Sequence, residues 1–117
     1  MEFKIHQHHK TQIAELVTEG TEINNVKDAL DLIDNADYHG ARKIIIKESH
    51  LTPSFFDLKS KLAGDILQKF LSYNVGLAII GDFSKYQSNS LRDFIRESNK
   101  NKCILFISSV DEVLKIR

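Results

Sequence analysis

Two carboxylates follow apolar runs of strand length in this sequence, and they are the first candidates for chemistry. Glu48 comes shortly after the run 44–46, and Asp82 follows the run 77–80 and one glycine. Because the carboxyl ends of adjacent parallel strands meet at one sheet edge, we expect the two side chains to lie near each other there. The pair could divide acid and base roles if one carboxylate is desolvated, or it could bind a cation. The alternative is structural, with Asp82 capping a turn and Glu48 pairing with a nearby lysine or arginine.

A second group of polar and aromatic side chains comes just after Asp82, and it is typical of a protein-contact surface. The candidate contact residues are Ser84, Tyr86, Arg92, Arg96 and Glu97. Arg92 with Arg96, and Asp93 with Glu97, are like-charge pairs at four-residue spacing, which do not stabilise an isolated helix. An intermolecular role for this helix is one interpretation. A solvated face with Asp93 paired to Arg96 is the other.

Histidine and cysteine give weaker signals. His6 and His8 share one face of a predicted strand beside His9, and His50 follows Glu48, but no third metal ligand is identifiable, so no metal is predicted. Cys103 is expected to be a reduced, packed thiol. The sequence contains no glycine-rich phosphate loop and no motif that places a Ser-His-Asp or Cys-His set. We therefore assign no cofactor and no catalytic residue.

Composition limits the class of protein. The 117 residues, 42% of them apolar, suit one domain spanning residues 1–117. Sixteen basic and sixteen acidic side chains cancel, so no net field favours nucleic acid or an anionic membrane. No apolar run reaches membrane-spanning length, and the first residues lack the apolar core of a signal peptide. A cytoplasmic location is expected.

The periodicity of the sequence predicts the elements that position these candidates. Alternating residues predict a hairpin over residues 3–17, turning near His9 and Lys10. A helix follows with Asn25 as its N-cap, and the β-branched run 44–46 predicts a buried strand. Thr52 and Pro53 predict a helical start ahead of the apolar stripe 62–71. Its Gly64 is attributed to close helix–strand packing.

The remaining elements repeat the alternation of strand and helix. A strand at 77–80 is followed by a helix with Ser90 at a capping box, then by a strand at 104–107 and a helix capped by Ser109. This order predicts an α/β fold: a mixed, mostly parallel sheet of about five strands with an N-terminal hairpin and about four helices.

Four segments carry a resemblance to a known family. They are 55–58, 62–70, Gly81-Asp82-Phe83-Ser84 with the two residues after it, and 90–99 with its Glu97-Ser98-Asn99. Together they resemble the bacterial proteins grouped as domain of unknown function 4180, a family with no assigned activity. The order of elements is similar to that of STAS domains, which regulate anti-sigma factors and anion transporters. That resemblance implies a STAS-like fold.

The STAS resemblance also implies a phosphorylation site. STAS antagonists carry a phosphorylatable serine at a helix start in an Asp-Ser-Ser-Gly-Leu context, for which Ser60, Lys61 and Leu62 stand here, with lysine in place of glycine. Ser60 is the corresponding candidate. The expected function is regulatory, with a protein partner bound at the carboxyl edge of the sheet and the Ser90 helix. A homodimer is a further open alternative, as is a small enzyme or ligand-binding protein that uses Glu48 and Asp82.

Overall fold

The computed structural model of the protein describes residues 1–101 and 104–115, so Cys103 lies outside the described part. The described residues form five strands and four α-helices: β1 Phe3–His8, β2 Thr11–Leu16, α1 Val26–Tyr38, β3 Lys43–Lys47, α2 Leu62–Ser72, β4 Gly76–Ile80, α3 Asn89–Asn101, β5 Ile104–Ile107 and α4 Val110–Lys115. Short 3₁₀ turns occupy Glu48–His50, Pro53–Phe56, Leu58–Ser60 and Phe83–Lys85. The predicted α/β class and the numbers of strands and helices are confirmed.

The strands form one sheet in the order β1-β2-β3-β4-β5. The predicted hairpin is confirmed: β1 pairs antiparallel with β2 across a two-residue turn in which His9 adopts a positive φ of 56°. The pairs β2–β3, β3–β4 and β4–β5 are all parallel. The sheet is therefore mixed, and parallel from β2 onward.

The strand order determines where the helices lie. Right-handed crossovers that always move to the next strand in the same direction place α1, α2 and α3 on one face of the sheet. Their apolar side chains accordingly join the main core cluster with one face of the strands, while Val113 of α4 packs in a second cluster with Ile13, Ile45, Ala78 and Leu105 on the opposite face. The order never reverses between β2 and β5. The sheet therefore lacks the switch-point crevice in which open α/β sheets usually bind ligands.

The main core is built from alternate strand residues and the inward faces of α1 and α2. Its members in β3 and β4 are Ile44, Ile46, Leu77 and Ile79. The helices contribute Ala29, Leu32, Ile33, Ala36, Ala63, Ile66, Leu67 and Phe70. The apolar stripe predicted for the second helix is confirmed for its i, i+3, i+4 members, which are the buried ones, but not for Leu71, which is 44% exposed.

Two local predictions, for Ser90 and for Gly64, need correction. α3 begins at Asn89, and the Ser88 hydroxyl rather than Ser90 accepts the Leu91 N–H at 3.2 Å. The helical start predicted at Thr52 and Pro53 is confirmed as a 3₁₀ turn over Pro53–Phe56, and the long helix α2 starts at Leu62. The explanation for Gly64 was wrong, because this glycine is exposed and a Cβ added there would meet no atom within 4 Å.

Candidate functional site

Glu48 is the centre of a polar network at the carboxyl edge of the sheet. It follows β3 directly and its side chain is only 16% exposed. Its Oε2 lies 2.7 Å from Lys85 Nζ and also accepts a hydrogen bond from the Tyr86 hydroxyl. The structural partner of Glu48 is thus Lys85, in the turn after β4, and not a residue of its own strand. One carboxylate joins the ends of two neighbouring parallel strands.

Gly81 makes room for this carboxylate. Register pairs Lys47 with Ile80, so Gly81 lies beside Glu48 where the two strands end. A Cβ built on Gly81 would lie 2.7 Å from Glu48 Oε1 and 2.9 Å from Glu48 Cβ. The Gly-Asp-Phe-Ser segment therefore begins with glycine because the Glu48 side chain crosses over it.

Gly81→Ala is expected to lower the free energy of unfolding by about 1–3 kcal/mol, the usual cost of overpacking. Gly64→Ala is the matched control. Because Gly64 is exposed in α2 with open space at its Cβ position, alanine should raise the free energy of unfolding by about 0.5–1 kcal/mol. Urea denaturation of both variants checks the pair, and effects of equal sign would contradict this role for Gly81.

Tyr86 is held on three sides. Its ring stacks on Phe56 with centroids 5.0 Å apart and an interplanar angle of 14°. Arg92 Nε donates to the Tyr86 carbonyl at 2.9 Å. Partial burial, together with the hydrogen bond to Glu48 and the charge of that carboxylate, raises the pKa of Tyr86 far above its ordinary value. The phenol therefore acts as a neutral donor to Glu48 and not as a base.

Asp82 caps a turn, and its side chain bonds Ser84 and not the members of this network. Its Oδ1 accepts the Ser84 hydroxyl at 2.5 Å and the Ser84 N–H at 3.1 Å, the arrangement of an N-capped 3₁₀ turn. Hydrogen bonds from the Ser84 hydroxyl and backbone lower the pKa of Asp82 below 3.8, with a smaller contribution from the charge of Lys85. Ser84, the next candidate, is the partner of this cap.

Asp82→Asn should leave the fold intact, because asparagine caps turns about as well as aspartate. The sign of the pH dependence follows from the lowered pKa: the charged cap stabilises the folded state above about pH 3.8 and loses that contribution as the pH falls through the lower folded value. The free energies of unfolding of the two proteins should therefore differ most near neutrality and converge in acid. A gap that widens on acidification, measured by urea denaturation, would contradict the capping role.

The two carboxylates line different depressions. A cavity of about 390 Å³ lies beside Glu48, and its wall is formed by Thr21, Glu48, Ser49, Leu51, Pro53, Phe56, Lys85 and Tyr86. Asp82 lines a separate depression with Gly81, Phe83, Phe106, Ile107 and Ser108. β3 and β4 are neighbours, as expected, yet the structure does not place Glu48 and Asp82 in a shared cleft.

The outer face of α3 is exposed and charged. Arg96 Nη1 lies 3.1 Å from Asp93 Oδ1, which confirms the cross-pairing that the spacing allowed. Glu97 pairs in the same way with Lys100 at 3.2 Å. Exposed ion pairs of this kind contribute little to the free energy of folding. The outer face of α3 therefore remains charged and accessible.

The inner side of α3 explains the Glu-Ser-Asn segment. Asn99 Oδ1 accepts the Phe106 N–H at 2.7 Å, and Asn99 Nδ2 donates to the Phe106 carbonyl at 3.2 Å. Ser98 Oγ donates to the Ile104 carbonyl at 3.1 Å. These side chains satisfy the outer backbone groups of β5 as a further strand would.

The histidines have internal partners. His50 is 2% exposed; its Nδ1 accepts the Lys47 N–H at 2.9 Å, and its Nε2 lies 2.5 Å from the Thr18 carbonyl. Since both ring nitrogens are used, His50 fixes the turn that carries Glu48. His6 Nε2 lies 2.7 Å from Glu15 Oε1. Within residues 1–101 and 104–115 no three His, Cys, Asp or Glu side chains converge on a metal site.

Ser60 is exposed and lies two residues before α2. Its Oγ is 2.7 Å from both the Ser54 and the Asp57 carbonyls and accepts the Leu62 N–H at 3.2 Å. Lys61 separates Ser60 from the helix in a left-handed conformation with φ 63°. The hydroxyl is therefore part of the connection into α2.

The comparison with known protein families matches a region that includes the Gly-Asp-Phe-Ser and Glu-Ser-Asn segments described above. Residues 8–116 match the family described as Domain of unknown function (DUF4180). The chain belongs to the DUF4180 family. No curated protein and no solved structure matches this DUF4180 chain. In its described part, no helix is both long enough and apolar enough to cross a membrane.

Several residues of this DUF4180 site were not singled out from the sequence. Lys85 and Phe56 approach Glu48 and Tyr86 from separate turns, and no local pattern links those turns. His50 was considered only as a solvated or metal-binding loop residue, although it is buried. Its sequence position gave no signal of burial, because one of its hydrogen-bond partners, the Thr18 carbonyl, lies 32 residues away in the chain.

Proposed function

We propose that this DUF4180 protein is a cytosolic, bacterial regulatory domain with a STAS-like fold, which binds a protein partner through the carboxyl edge of the sheet and α3. The observation that carries the proposal is the hydrogen bond from Arg92 Nε to the Tyr86 carbonyl. This bond ties the start of α3 to the loop after β4. The carboxyl edge and the helix therefore form one continuous surface.

The composition of that surface suits protein recognition. Tyr86 and Phe56 present a stacked aromatic pair beside Lys85 and Arg92, and arginine and tyrosine are enriched where protein interfaces bind most strongly. The outer face of α3 adds exposed charges of both signs. Such a mixed face favours orientation of a partner with complementary charge over general attraction to a polyanion.

The strand order gives further support. An enzyme of this class would use a crevice at a reversal of strand order, and the order here runs from β2 to β5 without one. The Asp82 carboxylate is already hydrogen-bonded to Ser84 as the cap of a turn, and it shares no cleft with Glu48. A joint catalytic role for these two carboxylates is correspondingly disfavoured.

The test compares Arg96→Glu with Lys27→Glu, which reverses another exposed charge near the start of α1. Proteins captured from native cytosol by the wild type and by Lys27→Glu, but lost from Arg96→Glu, are partners at the proposed surface. With the purified partner, titration calorimetry should give a Kd raised about tenfold or more for Arg96→Glu. An equal Kd for all three proteins would place the interface elsewhere.

Ser60 is the proposed regulatory residue, and this part of the proposal rests on the STAS resemblance. Lys61 adopts the left-handed conformation that glycine favours, and glycine is the residue that the STAS pattern has there. A phosphate on the exposed Ser60 would lie at the start of α2 between Lys59 and Lys61, where positive charge favours it. Phosphopeptide mapping of the protein from its native cells should show modification at Ser60, and its absence under all growth conditions would remove the idea.

The Glu48 cavity supports a second candidate function, the binding of a small molecule. Glu48, Lys85 and the hydroxyls of Thr21 and Ser49 meet an apolar wall of Leu51, Pro53 and Phe56 in a space of ligand size. A ligand found in a metabolite screen by thermal shift should lose affinity in Lys85→Met and keep it in Lys59→Met, which lies outside this cavity. Equal affinities would exclude the cavity as the site.

A further inference from the structure

The two edge strands of the sheet differ in whether their outward-facing backbone groups have hydrogen-bond partners. At the β5 edge, Asn99 bonds both backbone groups of Phe106 and Ser98 bonds the Ile104 carbonyl, so α3 occupies the positions that another strand would use. At the β1 edge, no described residue pairs with the outer side of the strand. Of the strands that the structure describes, only β1 is open to pairing with a further strand.

The register of the hairpin shows which groups β1 presents. The Val17 N–H bonds the Glu2 carbonyl at 2.9 Å, and hydrogen-bonded pairs alternate along an antiparallel ladder. The even-numbered residues of β1 therefore direct their N–H and C=O groups toward β2. Phe3, Ile5 and Gln7 direct theirs outward.

β1 also lacks the features that usually protect an edge strand. Its six residues contain no proline and pair without a bulge, and Lys4 is its one lysine. Ile5 is 40% exposed and lies on the face that carries α1. Tyr38, at the end of α1, is 88% exposed and its neighbour His39 contacts Phe3. Apolar surface thus accompanies the open backbone edge.

We propose that a second copy of this chain pairs with β1 in antiparallel orientation, about a two-fold axis that passes through Ile5. Ile5 then lies opposite Ile5 of the second copy, and Phe3 lies opposite its Gln7. All three outward-facing residues donate and accept backbone hydrogen bonds in this register. The two sheets become one continuous sheet, which removes the open edge of each protomer.

Charge and strand length together select this register over its neighbours. Residues that face each other across a two-fold axis must lie on the same face of the sheet, so the axis passes through a residue. The neighbouring registers therefore have the axis at Lys4 or at His6. Moving the axis to Lys4 places Lys4 directly opposite its own copy, and like charges directly opposite destabilise a sheet. Moving it to His6 carries Phe3 past the end of the partner strand. The Ile5 axis avoids both, and this self-complementarity favours a second copy over an unrelated protein.

The test uses a position where proline is compatible with the monomer. The Ile5 N–H faces outward, so Ile5→Pro removes no bond to β2 but removes a donor from the proposed pairing. Sedimentation equilibrium of the full chain should give a dimer for the wild type and half that mass for Ile5→Pro and Ile5→Lys. Leu71→Lys, which changes an equally exposed apolar residue of α2, should remain dimeric.

A disulfide test locates the contact. In a Cys103→Ser background, Ile5→Cys should form a covalent dimer under mild oxidation, because paired strand residues lie within disulfide distance. Leu71→Cys in the same background should not. A monomeric wild type, or dimers that survive both Ile5→Pro and Ile5→Lys, would overturn the proposal. Ile5→Lys keeps the test valid if the proline variant fails to fold, as circular dichroism would show.

Discussion

Replacing Ile79 by alanine is expected to lower the free energy of unfolding by about 2–5 kcal/mol, the range for large aliphatic residues in a well-packed core. Ile79 is 0% exposed in β4, between Ile46 of β3 and Phe106 of β5. Its side chain faces the helices in the main core cluster. Truncation leaves a cavity that neighbours on three strands and a helix layer cannot easily fill, so the cost should lie well above zero.

Leu71→Ala is the control for this measurement. Leu71 is also a large aliphatic residue, but it is 44% exposed on α2. Its truncation should change the free energy of unfolding by less than about 0.5 kcal/mol, as is usual for surface positions. Chemical denaturation at one pH compares the two variants. An Ile79→Ala protein as stable as Leu71→Ala would show that β4 is not buried between β3 and β5 as described above.

Replacing His50 by leucine is expected to cost about 1–3 kcal/mol, because it leaves two partly buried backbone groups without a partner. The Lys47 N–H would lose its acceptor and the Thr18 carbonyl would lose its donor. Leucine keeps most of the volume, so the loss reports the hydrogen bonds more than packing. His39→Leu, at an exposed position, should stay within about 0.5 kcal/mol of the wild type.

The His50 variant also has a local consequence. Glu48 lies in the turn that His50 holds, so disruption of that turn should displace Glu48 from Tyr86. Tyrosine absorbance at high pH detects this: the pKa of Tyr86, raised by burial and by Glu48, should fall toward the ordinary value in His50→Leu. An unchanged titration together with full stability would show that His50 does not position the network.

Much of the fold follows from local sequence. The hairpin, the cap at Asn25, the strand at Lys43–Lys47 and the inward stripe of α2 are each specified by residues within a few positions of one another. A buried strand face requires apolar residues at every second position, and a buried helix face requires them at a spacing of about 3.6. Both patterns are visible in consecutive residues of the sequence. Helix starts were less certain, because Ser88 and Ser90 offer competing caps and packing decides between them.

The candidate site was only partly predictable. That Glu48 and Asp82 follow adjacent strands was expected from their sequence positions, and β3 and β4 are indeed paired. Which way each carboxylate turns depended on partners brought from other elements. Asp82 accepts a hydrogen bond from Ser84, two residues away. Glu48 instead pairs with Lys85 and accepts a hydrogen bond from Tyr86, both in the turn after β4.

The sequence alone determined the α/β class, the order of its elements and the DUF4180 membership, because these depend on periodicity, caps and motif residues that are local in the chain. Only the tertiary structure decided that the strands follow one another without reversal, that Gly81 yields space to Glu48, and that Asn99 closes the β5 edge while β1 stays open. Those outcomes depend on contacts between residues far apart in sequence, whose geometry is set when the sheet and helices pack together.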